Sequence, residues 1–228
     1  MSKAILLNTG WTFTKEGHDE PVTLPHTWNA VDGQDGGNDY YRGTCSYTRK
    51  LEKPELSDGD RAVLQFDGVA MTAVVSLNGE KVAEHKGGYS TFRVDITDAL
   101  HDGANELIVS VDNSDNDTVY PQKADFTFYG GIYRDVTLHV VPAAHFALAA
   151  NGAVPIKVTP VVTDLAAHRC EVTVEAFVVG AQSVNFTLDG QQTSAAVKDG
   201  TARAVFTLEH ARLWDGLDDP YLYTVTAR

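Results

Sequence analysis

The 228-residue sequence has little cysteine and little positive charge, and each shortage excludes a class of protein. Cys45 and Cys170 are the only two cysteines and lie far apart. A disulfide framework needs more cysteines in a shorter chain, so we expect two free thiols. Lys and Arg number 18 against 31 Asp and Glu, for a net charge of -13. Because nucleic acids and anionic membranes require clustered Lys and Arg, this composition argues against both as partners.

Long apolar runs and the common catalytic motifs are also missing. No stretch approaches the ~18 apolar residues of a membrane span, and no apolar signal segment begins the chain, so we expect a cytoplasmic protein. The eight His are scattered, without H-x-x-x-H or C-x-x-C, which predicts no metal site. There is no G-x-S-x-G turn for a nucleophilic serine, and the glycine pairs do not precede a helix. We therefore predict no catalytic residue and no cofactor in this chain.

What the sequence does have is apolar alternation with period two in almost every segment. The alternating runs predict strands, and the Asn78-Gly79 pair within 73–85 predicts a hairpin, since both residues tolerate the positive φ of a type I′ turn. Residues 95–100 are the nearest helix candidate, and Asp102-Gly103 limits them to one short turn. No segment has a sustained helical stripe, so the fold class is all-β. The remaining predicted strands are 61–69, 106–112, 135–141, 171–179, 183–188, 202–208 and 221–226.

A change of texture near Pro142 predicts two domains. Residues 1–142 carry 22 acids and 12 bases and are rich in Gly, Asp, Tyr and Trp, whereas residues 143–228 carry 9 acids and 6 bases and are rich in Ala, Val and Thr. The first length suits a jelly-roll β-sandwich of eight or more strands, and the second suits a seven-stranded immunoglobulin-like β-sandwich. Because the last predicted strand runs almost to Arg228, we expect the second domain to be truncated at its C-terminal edge.

Four segments are dense in aromatic and charged or amide residues, and three of them also contain glycine. This combination suits sugar binding, because rings stack on the apolar face of a pyranose while carboxylates and amides bind its hydroxyls. The alternative is that these residues form the core and corners of a sandwich. The segments are LPHTWN (24–29), GGNDYYRGTCSY (36–47), KGGYSTF (86–92) and the region 111–135.

These segments and their neighbours occur in the order found in glycoside hydrolase family 2. Residues 1–142 resemble the N-terminal sugar-binding domain of a β-galactosidase or a close relative. Residues 143–228, with LWD at 213–215 and DPYLY at 219–223, resemble the immunoglobulin-like second domain. The motifs of the first domain include LPHTWN, DYYRGTCSYTRKL, GGYSTFRVDIT, NELIVSVDNS and DFTFYGGIYRDV.

The resemblance implies a parent enzyme that hydrolyses terminal β-glycosides with retention, most like a β-galactosidase. Its nucleophilic Glu and its acid/base Glu belong to a TIM barrel that these 228 residues do not include, so we expect the chain itself to be inactive. The implied partners are a β-galactoside-like carbohydrate, the barrel of the same parent chain and further subunits of a homo-oligomer. A β-glucuronidase or β-mannosidase parent, a free-standing carbohydrate-binding module and a sandwich pair without ligand remain alternatives.

The resemblance also implies two substrate-binding residues. Asp125 matches a carboxylate that reaches the active site and binds substrate hydroxyls, and no cation site is expected beside it in this chain. Asn38 matches, more loosely, an amide of the sugar site, and the neighbouring Asp39 is the alternative match. Asp112 and Asn113, at a strand end, are weaker candidates. Structural roles are predicted for a further set of nearby residues: Trp11, His26, Trp28, Arg42, Arg134 and Asp135.

Overall fold

The computed structural model describes residues 2–30, 32, 40–120, 127–149 and 151–228. The chain divides into two compact units. The first comprises Met1–Pro142 with Ala150–Gly152, and the second comprises Ala143–Ala149 with Ala153–Arg228. Both units are built from strands, which confirms the predicted all-β class. In the described ranges, no helix is long and apolar enough to cross a membrane.

The first unit is a sandwich of two antiparallel sheets. Their strands are β1 (Lys3–Leu6), β2 (Trp11–Lys15), β3 (His18–Val22), β4 (Thr44–Glu52), β5 (Arg61–Phe66), β6 (Thr72–Leu77), β7 (Glu80–Lys86), β8 (Phe92–Asp95), β9 (Ala104–Asp112) and β10 (Val136–Val141). One sheet has the order β3-β2-β4-β9-β6-β7, and the other has the order β1-β10-β5-β8.

The core of this unit lies between the two sheets, as the alternating sequence requires. In β4, Cys45, Tyr47 and Leu51 point inward and are buried, while their neighbours are more exposed. Phe66 and Leu138 come from the opposite sheet into the same apolar cluster. At about 25 cal/mol per Å² of buried apolar surface, packing of this kind is the main source of the unit's stability.

Local turn chemistry accounts for the predicted hairpin and the predicted short turn. Asn78 and Gly79 have φ of 54° and 84° and join β6 to β7, which confirms the hairpin. A single 3-10 turn, Thr97–Ala99, occupies the predicted helix candidate. The Asp95 carboxylate accepts hydrogen bonds from the backbone N–H and the hydroxyl of Thr97, so the turn begins where the strand ends.

The second unit also consists of two sheets around a single core. Its strands are β11 (His145–Phe146), β12 (Ile156–Asp164), β13 (Arg169–Val179), β14 (Ser183–Leu188), β15 (Gln191–Ala196), β16 (Thr201–Leu208) and β17 (Val225–Ala227). In the first sheet, β13 lies between β12 and β16, with β11 beside one end of it. The second sheet has the order β15-β14-β17. Val174, Phe186 and Phe206 are buried between the sheets.

The last strand is shorter than the predicted 221–226. Three features of the preceding residues compete with strand pairing. Arg212 forms an ion pair with Asp219 and donates its backbone N–H to the Tyr223 hydroxyl at 2.8 Å. Pro220 has no N–H to donate to a ladder. Pairing with β14 therefore begins only at Val225.

Candidate functional site

The two predicted sugar-binding residues, Asn38 and Asp125, lie outside the described residues, as does the alternative Asp39. The structure does describe the residues that flank both segments. Asp32 and Tyr40 flank residues 33–39, and Thr127 follows residues 121–126. The flanks of the two segments are joined by one buried polar cluster, which we call the amide cluster and define as Asn29, Asp32, Asn113 and the backbone groups that they bind.

Asn29 is the centre of the amide cluster and is completely buried. Its side-chain N–H groups donate to the Asp32 carboxylate at 2.5 Å and to the Tyr41 carbonyl at 2.9 Å. Its side-chain oxygen accepts from the Gly130 N–H at 2.7 Å and from the Asn113 amide at 3.2 Å. All four hydrogen-bonding positions of the amide are therefore used, which is what a buried polar side chain requires.

Asp32 binds residues on both sides of the segment 33–39. The carboxylate is 8% exposed and accepts the Tyr41 backbone N–H at 3.1 Å in addition to the Asn29 amide. Asn29, before the segment, and Tyr41, after it, are therefore held together by hydrogen bonds to one carboxylate oxygen.

Asn113 joins Tyr41 to Phe128, which follows the segment 121–126. Its amide donates to the carbonyls of Phe128, at 2.9 Å, and Tyr41, at 3.3 Å, and its oxygen accepts from the Gly43 N–H at 2.9 Å. Because every polar atom of this buried amide is already bonded, Asn113 has a positioning role. The prediction that named it as a weaker sugar ligand is not supported by this geometry.

Asp112, the other weaker candidate, is also bonded within the protein. Partial burial opposes ionisation, but hydrogen bonds from Ser114 and Thr44 hold the pKa of the Asp112 carboxyl below its usual value. The carboxylate is thus kept charged at the end of β9.

Arg42, which follows the segment 33–39, contacts Asn113, Asp115 and Phe128. Its Nε donates to the Asn113 carbonyl at 2.8 Å and its Nη1 to the Asp115 carboxylate at 2.6 Å. Its guanidinium lies 5.1 Å from the centre of the Phe128 ring, a cation–π distance. The backbone N–H of Phe128 donates to the Tyr40 hydroxyl, so the residues after each segment also touch directly. The predicted structural role of Arg42 agrees with these contacts.

The glycine pair of the motif DFTFYGGIYRDV is required by close packing beneath the amide cluster. A Cβ on Gly130 would lie 2.0 Å from the Trp28 ring. Gly131 has φ of +133°, and a Cβ there would lie 2.4 Å from the His26 carbonyl oxygen. No side chain fits in either place, so both positions need glycine.

The other residues with predicted structural roles are also engaged. The His26 ring nitrogen Nδ1 lies 2.7 Å from the Tyr47 hydroxyl, and burial lowers the pKa of the His26 ring. Arg134 donates to the carbonyls of Asp67 and Tyr89, both at 3.2 Å. Asp135 accepts the Asn8 amide at 2.8 Å. The contact between the His26 ring and the Tyr47 hydroxyl fits a hydrogen-bonded corner better than a general base.

Asn29 and Asp32 were missed in the sequence, although both lie in or beside segments that the sequence singled out. The only available signal was the position of Asn29 at the end of LPHTWN. Across the described ranges, no three His, Cys, Asp or Glu side chains are grouped closely enough to hold a metal ion.

Comparison with known proteins gives one family match and many relatives. The sequence model described as "Glycosyl hydrolases family 2, sugar binding domain" matches residues 2–142. A β-glucuronidase of Bacteroides fragilis is 32% identical over 97% of this chain and 34% of its own length. A β-galactosidase of Thermoanaerobacter pseudethanolicus is 28% identical over 97% of this chain and 31% of its own.

Among solved structures, the FMN-binding β-glucuronidase from Facaelibacterium prausnitzii is 41% identical, with a TM-score of 0.88. The match covers 100% of this chain and 37% of that protein. The chain thus spans about a third of the length of these relatives.

Proposed function

This chain belongs to glycoside hydrolase family 2, and we propose that it is a non-catalytic portion of a retaining β-glycosidase that helps to shape the sugar site. In this proposal, residues 1–142 form the sugar-binding domain and residues 143–228 an immunoglobulin-like scaffold. The nucleophile and the acid/base are two carboxylates ~5–5.5 Å apart in a retaining enzyme. We assign both to a barrel of the same parent, and we expect the chain alone not to hydrolyse glycosides.

The observation that carries the proposal is the amide cluster. Asn38 lies two residues before Tyr40, and Asp125 lies three residues before Phe128. Tyr40 and Phe128 are hydrogen-bonded to each other, and Asn29 and Asn113 bind the backbone on both sides. Since a chain spans at most ~3.6 Å per residue, these spacings of two and three residues limit the distance of each predicted ligand from an anchored residue. We propose that an Asn38 amide and an Asp125 carboxylate bind neighbouring hydroxyls of one sugar.

The relatives' names support a β-glucuronide as the first candidate substrate of the parent. The Bacteroides relative and the 41% identical structure are both named β-glucuronidases. A β-galactoside, which the sequence analysis favoured, is the second candidate, and the Thermoanaerobacter relative supports it. The homo-oligomer and the cytoplasmic location stay predictions.

Calorimetric titration of the 228-residue chain tests this proposal. With methyl β-D-glucuronide we expect millimolar binding, because one wall of a site makes few contacts to offset the cost of association. Asp125→Asn should weaken this binding about tenfold or more, since a hydrogen bond to a charged group contributes ~1.5–3 kcal/mol. Asp58→Asn, at an exposed acid in a turn, is the matched control and should leave the affinity unchanged.

Three results would count against parts of the proposal. Equal affinity of the wild type and Asp125→Asn would remove Asp125 from the site. Tighter binding of methyl β-D-galactoside than of the glucuronide would select the second candidate. Submillimolar binding by the chain alone would favour a free-standing carbohydrate-binding module.

A further inference from the structure

A small apolar cavity lies next to the amide cluster, and residues 127–129 form part of its lining. Its volume is about 240 Å³. Its floor consists of the buried side chains of Ala70, Met71 and Phe128. Its wall consists of Tyr89, Tyr129, Tyr133 and Thr127. Neither the predicted sugar ligands nor the amide cluster accounts for this cavity.

The rings of the wall differ in exposure in a way that leaves the cavity open to a ligand. Tyr89 is 57% exposed and Tyr129 is 44% exposed. Tyr133 is half-buried and donates its hydroxyl to the Gly88 carbonyl. Two rings are therefore free to contact a bound group, and the third is fixed.

The cavity is held in shape before any ligand binds. The Phe128 backbone is bonded on both sides, to the Tyr40 hydroxyl and to the Asn113 amide. The Arg134 guanidinium lies 5.3 Å from the centre of the Tyr133 ring and donates to the carbonyl of Tyr89. A preformed cavity binds without the entropic cost of ordering its walls.

The chemistry of the lining selects the kind of group that fits. None of the seven lining residues is charged, and the only side-chain polar groups among them are hydroxyls and the Met71 thioether. A pyranose placed here would lose hydration of its hydroxyls without enough partners, whereas a flat aromatic ring would stack on tyrosine. The volume is below the ~300–1,000 Å³ of a drug-sized site and suits a single ring.

We propose that this cavity binds an aryl aglycone, the aromatic leaving group of a β-glycoside whose sugar is held by the neighbouring site. The inference rests on the proposed function for its placement, because Thr127 lies two residues after Asp125 in the chain. It adds a preference for aromatic glycosides that the sugar ligands alone would not give.

Saturation-transfer difference NMR on the 228-residue chain with 4-nitrophenyl β-D-glucuronide tests the proposal. We expect the aryl protons to receive more saturation than the sugar protons. Tyr129→Ala should lower the aryl signal about twofold to twelvefold, the loss expected when one stacking contact of ~0.5–1.5 kcal/mol is removed. Thr127→Phe should have the same effect by filling the cavity, and it changes only a partly exposed side chain.

The control is Phe177→Ala, which removes an aromatic ring of similar exposure (38%) in the other unit and should leave the signal unchanged. Circular dichroism melting of each variant separates a lost cavity from a lost fold. Aryl signals that survive in both cavity variants, or that fall equally in the control, would overturn the proposal.

The ligand series also separates this proposal from the proposed function. 4-Nitrophenol has no sugar. If its aryl protons receive saturation in the wild type and less in Tyr129→Ala, the cavity proposal is supported even if Asp125→Asn changes nothing. Loss of sugar-proton saturation in Asp125→Asn supports the sugar site even if the cavity variants change nothing. Saturation concentrated on sugar protons in the wild type would assign the cavity to the pyranose and refute the aglycone.

Discussion

Asn29 anchors the amide cluster, and Asn29→Ala should destabilise the first unit strongly. The substitution removes four hydrogen bonds. Asp32, Tyr41 and Asn113 each keep another hydrogen bond within the cluster, but the Gly130 N–H loses the acceptor that it has among the described residues. An unpaired buried donor costs ~1–3 kcal/mol, and the lost bonds to the other three partners add to this cost. We expect a loss of about 3 kcal/mol in the free energy of unfolding.

The assay must report on the first unit alone, because two units need not unfold together. The chain has three tryptophans. Trp11 and Trp28 are buried in the first unit, and Trp214 in the second is 64% exposed. In a Trp214→Phe background, tryptophan fluorescence during urea unfolding therefore follows the first unit.

The matched control is Asp58→Ala, which truncates an exposed side chain in a turn of the first unit. It should leave the fluorescence transition within ~0.5 kcal/mol of the background. An Asn29→Ala transition equally close to the background would refute the idea that the amide cluster holds Tyr41, Asn113 and Gly130 together.

Three further predictions concern the packing and titration of the first unit. Gly130→Ala should destabilise the unit by about 3 kcal/mol or prevent its folding, because the new Cβ would overlap the Trp28 ring. The control is Gly88→Ala, which should have little effect in the same urea assay because the atoms nearest to its Cβ would lie 3.6 Å away. Burial lowers the pKa of His26, so the unfolded chain binds the proton more readily than the folded chain. The free energy of unfolding should therefore fall as the pH drops from above the usual pKa of 6.5 towards the lower pKa of the folded state. His26→Gln should make urea midpoints between pH 8 and pH 6 less dependent on pH. Burial raises the pKa of the Cys45 thiol to about 11, so the buried thiol should not react with a thiol reagent at pH 8. Peptide mapping should find Cys45 unmodified until urea unfolds the unit, and rapid labelling of the folded chain would contradict its burial.

Features that depend on neighbours in the chain could be predicted from the sequence. The hairpin at Asn78-Gly79 was predicted because positive φ is a property of those two residue types. The alternation at 106–112 and 171–179, within the observed β9 and β13, predicted the all-β class for the same reason, since the side-chain period of a strand is local.

The amide cluster could not be predicted, because its partners come from distant parts of the chain. Asn29 binds Asn113 and Gly130, which are 84 and 101 residues away. The sequence marked the glycine pair at 130–131 but not its cause, which is the packing of Trp28 and His26 against it. Asn38 and Asp125 came from the resemblance and remain predictions outside the described residues.

Chemical-shift mapping of methyl β-D-glucuronide on the isotope-labelled chain tests the central claim most directly, because it locates the sugar without a substitution. If the amide cluster anchors the sugar site, the largest shifts among the described residues will be at the backbone amides of Tyr41, Phe128 and Gly130. The polar face of the second unit, around Gln192 and Thr226, should not shift. Shifts confined to that face, with none around the amide cluster, would contradict the account.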